Sequence, residues 1–103
     1  MATKQELKLE GIENILKIYK NKLAKEFKVK TIGVFGSYVR GEQSDRSDVD
    51  ILVEFNGRIG FFKFLELEEY LEELLGVKVD LVSKKALKPR IGARILNEVV
   101  MIQ

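Results

Sequence analysis

Asp48 and Asp50, in the run Ser47-Asp48-Val49-Asp50-Ile51-Leu52-Val53-Glu54, stand where an apolar stretch begins that reads as a β-strand. Side chains on a strand alternate faces, so the two carboxylates project to one side about 6 to 7 Å apart. Such a pair can share one Mg²⁺ or hold two. Hard divalent cations favour oxygen ligands, and two of them about 3.5 to 4 Å apart can engage both the attacking and the leaving oxygen of a phosphoryl group. With no cation, two like charges would sit against an apolar run, where an unpaired charge is costly. A calcium loop of the EF-hand type does not fit, because Ile51 to Phe55 reads as a buried strand rather than as the rest of such a loop.

A second group of candidates lies just upstream. Val29 to Phe35 reads as a strand that ends at Gly36, where a residue without Cβ lets the backbone turn closely around a ligand. Ser37 adds a hydroxyl, and a helical turn starting at Ser37 or Tyr38 would direct free N–H groups into the same space. Arg40 either offers its planar fork to phosphate or closes on Glu42 or Asp45 at the surface. Gly41 reads as a helix stop. Together Gly36, Ser37 and the paired acids point to metal-dependent chemistry on a nucleotide.

The pattern Gly-Ser, ten residues (Tyr38 to Ser47), then Asp-x-Asp resembles the signature of the DNA polymerase beta-like nucleotidyltransferases. The run GSYVRGEQSDRSDVDILVEF is similar to their minimal nucleotidyltransferase (MNT) branch, which includes the MNT antitoxins paired with HEPN toxins in type VII toxin-antitoxin systems. The resemblance covers roughly residues 30–103 and implies a third carboxylate on a later strand. Asp80, in Val77-Lys78-Val79-Asp80-Leu81-Val82, is the residue offered. It would be both a metal ligand and the base that accepts the proton of an incoming hydroxyl. The alternative for Asp80 is a plain neighbour pair with Lys78 on the same strand face.

The elements that must position these residues follow from periodicity. Residues from about Lys4 to Phe27 carry Ile12, Ile15, Leu16, Tyr19, Leu23 and Phe27 at the three-and-four spacing of an amphipathic helix. The Val29–Phe35 strand, a short turn or helix at Ser37–Arg40, a polar loop and the Val49–Phe55 strand come next. Phe61 to Leu75 predicts a helix with Phe61, Phe64, Leu65, Leu71, Leu74 and Leu75 on its core side and Gly76 as its stop. Phe62 falls outside that stripe. A strand is predicted at Val77–Val82, and Pro89 suits the first turn of a last helix reaching about Val99. The expected fold class is α+β (mixed α/β), a small mixed β-sheet flanked by helices. Residues 1–103 read as a single domain, with 1–28 as an N-terminal helix and 29–103 as the catalytic core.

Composition narrows the chemistry further. The 103 residues are 46% hydrophobic and 33% charged, enough for one core. With no cysteine and no histidine, disulfides, thiolate sites, imidazole ligands and histidine base catalysis are excluded. No run approaches the length of a membrane span and no signal-peptide core is present, so a cytoplasmic protein without membrane contact is expected. Net charge is +2, divided as +4 over residues 1–30, −6 over 31–82 and +4 over 83–103. The acidic middle is where cations would bind. The basic N-terminal lysines fall on the polar face of a helix, for which solvation is a commoner reason than nucleic-acid binding.

The function these residues and the resemblance imply is transfer of AMP from ATP, with Mg²⁺, two ions in all, on Asp48, Asp50 and Asp80. Gly36, Ser37 and Arg40 would take the phosphates. A chain of this length has no substrate domain, so another protein would present the acceptor hydroxyl, and the resemblance implies a tyrosine of a HEPN toxin. The alternative is a non-catalytic antitoxin that neutralises its partner by occlusion. A third reading is a role in RNA binding or tailing, which would show steep salt dependence.

Overall fold

In the computed structural model, which describes residues 7–103, a four-stranded sheet of order β3-β2-β1-β4 carries the site. The elements run α1 (Leu9–Phe27), β1 (Val29–Phe35), α2 (Ser37–Arg40), β2 (Val49–Phe55), α3 (Phe61–Leu75), β3 (Val79–Ser83), a 3₁₀ turn (Lys84–Ala86), α4 (Pro89–Glu98) and β4 (Val100–Met101). β1 is antiparallel to β2 and β4, whereas β2 and β3 are parallel and joined through α3. A parallel pair requires such a crossover, and α3 supplies it. The α+β class and the mixed sheet are as expected.

Alternation on the strands builds the core. Ile32, Val34, Val49, Ile51, Val53, Val79 and Leu81 point to one face of the sheet and join Ile12, Leu16 and Leu23 of α1 and Leu67, Leu71 and Leu75 of α3 in the main buried cluster. α1 and α3 pack on each other, and against β1 and β3 respectively. The intervening residues, Asp50 and Asp80 among them, therefore belong to the face that these two helices leave uncovered.

Three expectations need correction. The first helix starts at Leu9, not near Lys4: Lys8 is extended (φ −123°, ψ 165°), Leu7 lies outside the helix, and Lys4 to Glu6 fall outside the described residues. Leu7 packs against the core cluster ahead of the first turn, fixing where the chain enters the helix. On α3, Phe61 is 69% and Leu65 40% exposed, while Leu67 is fully buried. Leu65 sits about 120° around the helix from Leu71 at 3.6 residues per turn, too far to share its stripe. The third strand begins at Val79 rather than Val77, because the left-handed stop at Gly76 (φ 73°) leaves Val77 and Lys78 to make the turn. As predicted, Phe62 is exposed, and Phe64 packs against the core.

β3 is an edge strand, and α3 closes its open side. Glu72 accepts a hydrogen bond from the Val79 N–H at 3.0 Å, and Glu68 accepts one from the Leu81 N–H at 3.1 Å. Backbone donors that would otherwise lie unpaired along the edge are thus satisfied by side chains. No helix among the described residues is long and apolar enough to cross a membrane.

Candidate active site

Gly36 ends β1 with φ 82° and ψ −153°, a conformation that L side chains rarely adopt. A Cβ at this position would collide with the carboxylate of Asp50, so the turn and the acid lie in direct apposition. α2 then starts at Ser37. Val39 and Arg40 donate backbone hydrogen bonds to the Gly36 carbonyl at 3.0 and 3.2 Å, and Gly41 (φ 71°) stops the helix after one turn. Tyr38 is buried beneath this turn, and burial followed by the charges of Asp45 and Asp48 pushes its hydroxyl up from 10.0.

The acids come together through sheet register. Asp50 and Asp80 are paired positions of the parallel strands β2 and β3, on the same face. Thirty residues of chain separate them, yet the pleat brings them side by side. Asp80 makes no ion pair with Lys78 among the described residues. Asp48 precedes β2, is exposed, and acts on Asp50 through its charge. Burial first, and then the negative charges of Asp80 and Asp48, push the Asp50 carboxyl up to about 6, with Arg40 pulling the other way.

Among the described residues, no group of three acidic side chains is gathered closely enough to hold a metal ion as it stands. The donors still suit a hard divalent cation: all are oxygens, Asp50 and Asp80 are adjacent, and Asp50 bears a repulsion that a cation would relieve. An open groove of about 640 Å³ adjoins Asp48, bounded by Arg46, by Glu72 and Glu73 at the end of α3, and by Lys78.

Arg40 pairs with Glu42 at 2.8 Å, one of the two surface partners anticipated, and also with Glu98 at 2.6 Å. Sequence reasoning missed Glu98. Its other oxygen accepts a hydrogen bond from the Gly36 N–H at 2.7 Å, and the Arg40 guanidinium and the Gly36 amide hold its carboxyl below the ordinary 4.5. One signal could have found it: Glu98 is the only acid among the five cations of residues 83–103.

The nucleotidyltransferase domain family matches residues 16–102. The chain is 56% identical over 96 residues to the protein adenylyltransferase MntA of Thermococcus cleftensis, covering 93% of this chain and 97% of that one. A provisionally named protein adenylyltransferase of Methanocaldococcus jannaschii is 49% identical over 92 residues, 88% of this chain and 94% of the other. Among solved structures, a provisionally assigned minimal nucleotidyltransferase superposes with a TM-score of 0.78 at 33% identity, over 94% of this chain and 98% of that one. A toxin-antitoxin structure with AMP-PNP matches with a TM-score of 0.71 at 28% identity, over 87% of this chain and 73% of the other.

Proposed function

The chain belongs to the nucleotidyltransferase domain family, in its minimal, MntA-like branch, and on that premise we propose that it transfers AMP from ATP to a hydroxyl, a tyrosine, of a HEPN-type toxin partner. The observation that carries this reading is the apposition of the Gly36 turn to Asp50, with Asp80 in register beside it. A turn with no side chain set directly against paired carboxylates suits a metal-bound triphosphate.

In this reading Asp48, Asp50 and Asp80 hold Mg²⁺, two ions in all. Bound there, Mg²⁺ would neutralise phosphate charge and the repulsion among the acids. Gly36, Ser37 and Arg40 receive the β and γ phosphates, which turns the α-phosphorus toward the uncovered face. Asp80, the more exposed of the register pair, accepts the proton of the acceptor hydroxyl. The new bond joins the hydroxyl oxygen to the α-phosphorus, the bond to the bridging oxygen breaks, and pyrophosphate leaves. The rate gain comes from alignment and charge neutralisation, since the protein forms no covalent bond to the substrate. The reaction is assigned to the cytoplasm, where ATP is available.

The test is incubation with ATP labelled at the α-phosphate, Mg²⁺ and the toxin partner. Label is expected on the toxin, and its loss is expected with Asp48→Ala Asp50→Ala or when the acceptor tyrosine is replaced by phenylalanine. Toxin neutralised by the double variant, with no label transferred by the unaltered protein, would instead establish the occlusion reading.

A further inference from the structure

Glu98 occupies donors on two of the three residues that the proposed function assigns to the nucleotide's terminal phosphates. Its Oε2 accepts the Gly36 N–H at 2.7 Å and its Oε1 accepts Arg40 Nη1 at 2.6 Å. One main-chain amide and one guanidinium converging on two oxygens of an anion form a combination suited to phosphate as well as to carboxylate. The contact spans 62 residues to Gly36 and 58 to Arg40, so tertiary structure makes it, and no local turn requires it.

We propose that Glu98 is an internal occupant of the phosphate slot formed by Gly36 and Arg40, displaced when nucleotide binds, and that it thereby sets the affinity for nucleotide. This rests on the reading that these two residues receive the phosphates. The element bearing Glu98 is lightly anchored: Glu98 is the last residue of α4, whose one buried residue is Gly92. The two-residue strand β4 follows. The Glu98 side chain retains 23% of its exposure, and Ile91 and Leu96 of α4 are exposed, so releasing the carboxylate uncovers little core. A carboxylate brings one negative charge to the slot, whereas a triphosphate brings several and adds contacts at Ser37 and the metal site. The nucleotide therefore wins the exchange at sufficient concentration, and Glu98 raises the concentration needed.

Arg40 keeps a second partner throughout, since its Nε donates to Glu42 at 2.8 Å while Nη1 serves Glu98. Loss of Glu98 thus leaves the guanidinium tethered near the slot and its outer donors free.

The experiment compares the unaltered full chain with Glu98→Gln and Glu98→Ala by calorimetric titration with Mg-ATP and, as a probe without a nucleoside, with inorganic tripolyphosphate. Thermal melts establish that each variant is folded. Removing a charged hydrogen-bond competitor is expected to tighten both probes about tenfold. In the unaltered protein, the Gly36 amide resonance should shift on ATP saturation as its acceptor changes from carboxylate to phosphate. Equal or weaker binding by the folded variants, or an unmoved Gly36 amide in ATP-saturated unaltered protein, overturns the proposal and leaves the nucleotide reading in place. No ATP binding by any of the three proteins overturns both.

Discussion

Asp50 is the residue at which the site's electrostatic cost concentrates. Its carboxyl is pushed up to about 6 by burial and by two neighbouring acids, so at neutral pH its charge opposes folding. Asp50→Asn is therefore expected to raise the melting temperature at pH 7 in the absence of divalent cations and to abolish any rise on adding Mg²⁺; melting curves with and without Mg²⁺ check both. Glu98 behaves in the opposite sense. Its value in the folded chain lies below the ordinary 4.5, so the stability it contributes is present above its unfolded value and is lost as pH falls through the folded one. The melting temperature of the unaltered protein should exceed that of Glu98→Gln at pH 7, and the difference should close in strongly acidic buffer. The same substitution is thus expected to cost stability while strengthening nucleotide binding, a separation that a purely structural ion pair would not produce.

At the scale of elements, the placement of Asp80 depends on α3. Glu68 and Glu72 pin the N–H groups of Leu81 and Val79, the residues on either side of it. Glu68→Ala or Glu72→Ala should each cost about 1 kcal/mol, read by urea denaturation, and should weaken Mg²⁺ binding although neither residue touches the acids. In the sequence these glutamates are only polar positions of a helix, because periodicity shows helical sidedness but not which strand edge lies alongside. β1, α2, β2 and α3 were legible to the residue, since periodicity and glycine stops agree there. The Lys84–Ala86 turn and β4 were not, being three and two residues long and too short for any period to show. Among the candidate residues, Asp48 and Asp50 announced themselves by spacing, whereas Asp80 needed the family resemblance and Glu98 needed the fold. Contacts over 58 and 62 residues leave no pattern in a single chain.

For the whole molecule, stability should reside in the helix-covered face and not in the aromatic cluster that opens α3. Leu71 is fully buried, so Leu71→Ala should cost about 2 to 5 kcal/mol. Phe62 is 80% exposed, and Phe62→Ser should stay within about 0.5 kcal/mol of the unaltered chain, both read from denaturant midpoints. The parallel pairing of β2 with β3 has a consequence for how this molecule can change. The two acids face each other because strand register aligns Asp50 with Asp80, whatever the contour length between them. Sequence can accordingly be added to the crossover without cost to the site, provided that the register holds. The Asn56–Gly57 turn is one place for it: Gly57 (φ 98°) has open space around its Cβ direction. A short Gly-Ser insertion there should preserve label transfer, because each doubling of a flexible loop costs only about 0.6 kcal/mol. Deleting one residue between Gly76 and Val79 should abolish transfer by moving Asp80 to the opposite face. Lineages of this fold would then be free to vary in length between the second acid and the third while keeping their chemistry.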